Sequence, residues 1–586
     1  MEEGHAARRG KGRWGNLARC GMVGWYDPRQ LARTAGEVFV STIIGKHADH
    51  RLIEALFNPS KDGTDCTAPD GRGQDGAFWI DYVADTGDGW DSTYGVAFHL
   101  SQPSLALETP DGIRHETRRG SILILGGDEV YPTPNREGYE LRTVRAYETA
   151  LPWTDPPHPR VFAIPGNHDW YDSLVAFTRL YCSGRWFGGW KTQQPRSYFA
   201  LKLPHDWWLL GTDVQLGSDI DCPQVEYFCE IASRMSKESR IILCNAEPEW
   251  IYQAVYGRDV IGAGSNLSFL ENHVLKRHVA VFLAGDLHHY RRHEAPNGTQ
   301  KISAGGGGAF LHPTHGLDVS ILPETVASGI MTPAFALKAS FPDQNTSRRL
   351  AWRNLAFPFL NPWFGIVPAT LYLLTAWSAK ASIGSLGLSA WGQALETTLG
   401  AIVNGPFAVF WVLVIFLGFF LFTDTRSKPY RVIAGPIHAL AHLSAVFLLG
   451  WAATYLGVSV CGLEFGSIRQ LLLAGTVVAL GGYFAGSWIL GLYLLISLNG
   501  FRRHSNEAFS SLRIRDWKCF LRLRIDAQGE LTLFPIGIRR VPRRWKPSPG
   551  GGTSDLSPDD PRATPPHLIE EPIRVRRHRT ANPAPK

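Results

Sequence analysis

Apolar and polar positions follow two different rhythms along this chain, and the change falls near residue 350. Before it, short apolar runs stop abruptly at polar residues: Phe78 to Ala84 (FWIDYVA), Ser121 to Leu125 (SILIL), Val161 to Ile164 (VFAI), Arg240 to Cys244 (RIILC) and Val279 to Ala284 (VAVFLA). Such runs predict buried strands, and the helical or loop segments between them predict an α/β domain over 78–350. After it, the stretches Asn354 to Ala379, Thr397 to Thr423, Val432 to Leu463 and Gln470 to Gly500 contain no Asp, Glu, Lys or Arg. Each exceeds the roughly 20 residues that cross a bilayer, so a four-helix transmembrane region is expected over 351–500. Pro358, Pro362 and Pro368 crowd the first span and predict a kinked or interfacial start.

The flanks read differently. Residues 1–24 are polar and rich in Gly and Arg, which predicts disorder. Residues 25–77 are expected to be a helical segment, with Leu31, Val38, Ile43, Leu52 and Leu56 as core candidates. Beyond the fourth span, Phe520 to Ile525 alternates apolar and basic residues, Gln528-Gly529 turns, and Leu531 to Ile538 returns. This hairpin signal is read as a small β-rich module over 501–546. The Pro-, Gly- and Ser-rich stretch 547–586, with its basic run Arg574 to Arg579, is expected to be a disordered tail.

Charge adds orientation. Arg348, Arg349 and Arg353 precede the first span, Arg426, Lys428 and Arg431 separate the second from the third, and Arg502, Arg503, Arg513 and Arg515 follow the fourth. The other two loops hold only Lys380 and Arg469, so the positive-inside rule puts both termini and the α/β domain in the cytoplasm. No apolar run of signal-peptide length stands near the amino terminus. Eight cysteines without C-x-x-C or zinc spacing agree with a reducing compartment. A net charge of +6 is modest for 586 residues. Anionic lipid headgroups account for it, and no nucleic-acid-binding signature is present, so the expected partner is the lipid bilayer rather than nucleic acid.

The predicted strands end in Asp85-Thr86-Gly87-Asp88, Gly127-Asp128, Gly166-Asn167-His168-Asp169, Asn245-Ala246-Glu247 and Gly285-Asp286-Leu287-His288-His289. Loops beyond the carboxyl ends of such strands converge on one crevice. Carboxylate, amide and imidazole groups gathered there are the ligand types of divalent cations.

In this order the motifs resemble the calcineurin-like metallophosphoesterase superfamily, whose pattern is Asp-x-His, Gly-Asp, Gly-Asn-His-Asp/Glu, His and Gly-His-x-His. The resemblance spans about Phe78 to Phe310. It implies a layered αββα sandwich with a two-metal site that hydrolyses phosphate esters. It further implies that Asp128 bridges the metals, Asp85 and His288 bind the first, and Asn167 binds the second. His168 would donate a proton to the leaving oxygen, and Asp169 would orient it. Asp88, Glu247 and Asp286 stand where the pattern has imidazoles, with Asp91 and Glu249 as neighbouring alternatives to the first two; His289 is the alternative to His288, the other of that pair then being a substrate contact. Three carboxylates in place of imidazoles indicate an oxygen-rich site suited to Mn²⁺, with Fe or Mg²⁺ as alternatives. The implied partner is a phosphorylated substrate, and membrane tethering favours a lipid-linked one.

The competing reading is a membrane sensor or scaffold that binds ligand without turnover. Retention of Asp128, Asn167, His168 and Asp169 favours the hydrolase. A transporter is disfavoured because the spans offer no ion path beyond His438 and His442. These two lie four residues apart on one helix face and are expected to form interhelical hydrogen bonds rather than a haem or metal site. Gly305 to Gly308 lacks the Lys of a P-loop and predicts a tight loop beside the site, with His312 and His315 as candidate substrate contacts. Arg291, Arg292 and His293 follow the last motif and are candidate contacts to substrate phosphate, with a solvated loop as the favoured reading.

Overall fold

The computed structural model describes residues 19–44, 63–68, 75–214, 219–256, 265–275, 278–325, 331–380, 391–423, 427–549 and 552–575. The five apolar runs form the strands Phe78–Val83, Ile122–Gly126, Arg160–Ile164, Arg240–Asn245 and Val279–Ala284. Neighbours among them pair in parallel, Phe78–Val83 with Ile122–Gly126, that strand with Arg160–Ile164, and Arg240–Asn245 with Val279–Ala284. Parallel strands are covered on both faces, which is why these segments are mostly apolar on both.

Among the described residues two nine-stranded sheets result. They lie face to face through Ile80, Tyr82, Ile122, Ile124 and Phe162 of one and Leu209, Ile242, Val281, Leu283 and Ile302 of the other. Helices cover the outer faces. Trp90–Ser101 and Arg145–Ala150 pack on Val83, Leu123 and Leu125, and Cys222–Ser233 packs on Trp208, Leu210 and Leu243.

The carboxyl-terminal hairpin is not a separate module. Lys518–Ile525 pairs antiparallel with Phe78–Val83, setting Arg522 opposite Asp81 and Leu523 opposite Ile80. Without it Phe78–Val83 would be a bare apolar edge, which sheets avoid. The expected disorder of the tail fails for residues 552–575 as well. Ile573–Val575 pairs with Leu531–Ile538, and Glu570 forms an ion pair with Arg292 at 2.6 Å. At the other end, residues 19–24 are ordered against the domain, with Met22 and Val23 buried. Between 25 and 77 the structure places the helix Pro28–Ile44 and the short strand Thr64–Asp65, while Leu52 and Leu56 lie outside the described residues. The α/β domain is thus closed by chain from both sides of the apolar helices.

Lys428–Val460 and Ile468–Phe501 are long and apolar enough to cross a membrane. Two bent pairs, Gln344–Leu360 with Pro362–Ala379 at 61° and Gly392–Asn404 with Pro406–Phe422 at 100°, raise the number to four if each is one span. The first bend falls at Asn361, where Pro362 denies the helix a backbone donor. His442 Nδ1 lies 2.7 Å from the Tyr372 hydroxyl of a neighbouring helix, and its Nε2 lies 3.2 Å from His438 Nε2. A cavity of 1120 Å³ among these helices is lined by residues such as Leu373, Phe447, Trp451 and Leu471, and among the described residues no titratable group lines it. Leu490, Leu494 and Leu498 of the last helix pack with Phe310, Leu311 and Phe509, joining the helices to the loop that follows strand Gln300–Ala304.

Candidate metal centre

Asp85, Asp128 and Asp286 each stand just beyond a strand's carboxyl end, with φ of 57°, 53° and 62°. Non-glycine residues rarely adopt this left-handed region, and holding three carboxylates there costs on the order of 1 kcal/mol or more apiece. Glycines make room for them. A Cβ on Gly305 would fall 2.0 Å from Asp85 Oδ2, and one on Gly166 would fall 2.2 Å from Asp128 Oδ1. The Gly305 to Gly308 run therefore serves close approach to Asp85.

The three strand ends meet at a residue the motif reading overlooks. The Tyr131 hydroxyl lies 3.2 Å from Asp85 Oδ1, 3.1 Å from Asp128 Oδ2 and 3.0 Å from His288 Nε2. Asp286 joins them through its backbone N–H, which donates to Asp85 Oδ1 at 3.1 Å, while its Oδ2 accepts from the Tyr252 hydroxyl. His288 Nδ1 faces the Phe310 carbonyl at 2.7 Å. That contact fixes the proton on Nδ1 and aims the Nε2 lone pair at the cluster, the tautomer a metal-binding imidazole needs.

Among the described residues, no three His, Cys, Asp or Glu side chains by themselves enclose a metal-sized position. The Tyr131 hydroxyl stands at the point where they converge, so a cation held there would have the phenol as a ligand or displace it. The donor set nevertheless fits a cation. Asp85 Oδ2 is buried without a hydrogen-bond partner. Burial, then the Asp128 and Asp286 charges, hold Asp85 well above the usual carboxylate range. Burial, then Asp169 and Asp286, do the same for Asp128. Crowded like charges in a low dielectric are what a bound cation relieves.

The other predicted residues divide. His168 flanks the cluster, its backbone N–H donating to Asp128 Oδ1 at 2.8 Å and its ring resting 4.4 Å from that of Tyr131. Burial pulls its imidazole down to about 4, while its hydrogen bond to the Pro132 carbonyl opposes that shift. Asp169 does not orient it. The Asp169 carboxylate accepts from the Tyr139 hydroxyl and the Gly166 and Glu129 N–H groups, bracing two loops, whereas Pro132 O holds His168 Nδ1 at 2.6 Å. Asp88 is also drawn away from the metal role. Its two oxygens accept the Val23 and Phe310 N–H groups at 2.7 and 3.1 Å. Asn167 hydrogen-bonds Tyr171, and the Glu247 charge acts on Tyr171 and on Tyr252, whose hydroxyl is bonded to Asp286. Asp91 faces outward to Arg515 and Trp545.

Three further residues went unnoticed at the level of motifs. Trp25 sets its ring edge-on to His168 at 6.0 Å. Lys518, from the carboxyl-terminal hairpin, is fully buried and donates to the Ala309 carbonyl, and burial pulls its ammonium down to about 8. Tyr131 had a local signal, since it follows Asp128 by three residues in Gly-Asp-Glu-Val-Tyr. His312 stacks on His288 at 3.9 Å, whereas His315 is occupied by Ser347 and Asn499.

No family model matches the chain, and no curated protein does. Among solved structures it is similar to GAP50, the anchor in the inner membrane complex of Plasmodium, at 12% identity over 47% of this chain and 93% of that one, with a TM-score of 0.30. It is also similar to the purple acid phosphatase PPD1 from yellow lupin (Lupinus luteus) seeds, at 14% identity over 41% of this chain and 46% of that one, with a TM-score of 0.27. Both are weak neighbours of this α/β chain, and likenesses of this size carry no functional weight.

Proposed function

We propose that this chain is a membrane-anchored, metal-dependent phosphoesterase whose site is the Asp85, Asp128, Asp286, Tyr131 and His288 cluster. The observation that carries the reading is the convergence of the buried Asp85 and Asp128 carboxylates and the His288 imidazole on one hydroxyl, with Asp286 beside them. Asn167 and Glu247 stand ready to extend the ligand set toward a second cation. Cations bound there would activate water as a nucleophile and neutralise phosphoryl oxygens. The phenol and the carboxylates are hard oxygen donors, suited to Mn²⁺ or Fe rather than Zn²⁺.

The chain's own groups supply the rest. His168, steadied through Nδ1 by Pro132, presents Nε2 for proton transfer to the departing oxygen. A dianionic substrate beside it would favour its charged, proton-donating form. Trp25 limits water at the His168 edge. The basic residues flanking the apolar helices support a cytoplasmic face for this domain, within reach of phosphorylated lipids.

The test is turnover of p-nitrophenyl phosphate by full-length protein in detergent, stripped of metal and reloaded with Mn²⁺ or Fe²⁺. Metal-dependent hydrolysis that Asp128→Asn abolishes is the expected result. Unchanged turnover by Asp128→Asn would sink the assignment, and metal binding without turnover would favour a ligand-binding sensor.

A further inference from the structure

Arg291 and Arg522 are both completely buried, yet their surroundings differ sharply. Arg522 Nε meets Asp81 Oδ1 at 3.1 Å, Nη1 meets Thr117 Oγ1 at 3.2 Å, and Nη2 meets the Leu100 and Gln102 carbonyls at 3.2 and 3.1 Å. Arg291 makes one bond, from Nη2 to the Thr314 carbonyl at 2.6 Å, and its Nε and Nη1 have no partner. Among the described residues no carboxylate is hydrogen-bonded or ion-paired to it, and burial alone pulls its guanidinium down, to about 10. The adjacent Arg292, on the opposite face of the same strand, is matched by Glu570 and Glu294. Polypeptides rarely bury a guanidinium with bare donors, because nothing offsets its desolvation.

A second bare nitrogen lies beside it. His289 turns Nδ1 toward the His312 carbonyl at 3.3 Å and leaves Nε2 buried without a partner. His289 and Arg291 bond the carbonyls of His312 and Thr314, two residues apart in one segment, so the two side chains are neighbours. His312 in turn stacks on His288 of the candidate metal centre. On the other side, Thr314 N–H donates to Ser347 Oγ, and His315 bridges Ser347 and Asn499 at the ends of the apolar helices. The bare donors therefore lie between the metal centre and the end of the helix bundle.

We propose that Arg291 and His289 form a buried oxyanion site for a hydrogen-phosphate group, carried by a phosphomonoester lipid or by inorganic phosphate. The guanidinium fork matches two phosphate oxygens, which a lysine at this position would not do. His289 Nε2, with Nδ1 donating to a carbonyl, is placed to accept the remaining P–OH. A phosphodiester has no such hydroxyl and leaves this imidazole unmatched. The site does not depend on hydrolysis at the metal centre, and its test is made without metal or turnover.

Full-length protein stripped with EDTA is titrated with radiolabelled inorganic phosphate by equilibrium dialysis, with thermal shift as a second readout. Wild type binds about one phosphate per chain, and Arg291→Gln weakens binding by at least about tenfold, about 1.4 kcal/mol. Phosphate raises the melting temperature of wild type and leaves that of Arg291→Gln unmoved. If Arg291→Gln is not recovered folded, His289→Phe is read in the same way, with loss of binding expected. Nanodiscs containing phosphatidic acid that displace the label, when phosphatidylcholine discs do not, identify a lipid headgroup as the source. Failure of both discs to displace it identifies free phosphate. Absence of phosphate binding by stripped wild type, or unchanged binding by the folded variant, overturns the proposal.

Discussion

Asp81 and Asp85 stand four residues apart, on strand Phe78–Val83 and just beyond its end, both buried, and the fold treats them in opposite ways. Asp81 accepts from Arg522 Nε at 3.1 Å and from Gly120 N–H at 2.9 Å. Asp85 faces Asp128 and Asp286 and keeps one oxygen bare. Even so, burial pushes Asp81 up and Arg522 down despite their pairing, so desolvation outweighs their attraction. The pair fixes where the carboxyl-terminal strand docks more than it stabilises the fold. One aspartate is answered by a residue 441 positions away in the chain. The other is left for a charge that the polypeptide does not carry.

The largest effect is expected at the matched aspartate. Arg522→Met alone strands a buried carboxylate and should cost about 3–5 kcal/mol of stability, whereas the double variant Asp81→Leu/Arg522→Met should recover most of it. Denaturation of the purified protein checks both, and a double variant as unstable as the single one would break the comparison. At the unmatched aspartate, stability and function should separate. Asp85→Asn should leave metal-free stability equal or higher, because it removes like-charge repulsion, while turnover falls by about 10²–10³-fold. Thermal melts beside a phosphatase assay read the two.

A smaller effect follows from pH. Asp85 and Asp128 have folded-state pKa values above the unfolded value of about 4, so the folded state binds the extra protons. Stability from this source is therefore present at low pH and lost as pH rises through the folded-state values. Metal-free wild type should lose on the order of 1 kcal/mol relative to Asp85→Asn as pH is raised from about 5 to 8, and added metal should flatten the difference. Melting curves with and without metal show whether it does.

The same contrast explains what the sequence discloses. The five strands and their terminal carboxylates are legible because parallel strands buried on both faces read as unbroken apolar runs. Lys518–Ile525 is legible as a strand, but its alternating basic residues suggest a wet face, and nothing local reveals that Arg522 is buried against Asp81. Asp88 matches Asp85 in type and setting, yet tertiary contacts with Val23 and Phe310 decide its role. Tyr131 is hidden for the opposite reason, since a buried aromatic after a strand is more often core than ligand.

The proposed phosphoesterase activity requires Asp85, Asp128, Asp286, Tyr131 and His288 to hold cations together. Metal content per chain, measured by plasma mass spectrometry on full-length protein after reloading and dialysis, tests it most directly. About two ions in wild type, and a clear loss in Asp128→Asn, are predicted. A wild-type protein that retains no metal, or an Asp128→Asn variant that retains as much as wild type, would contradict it.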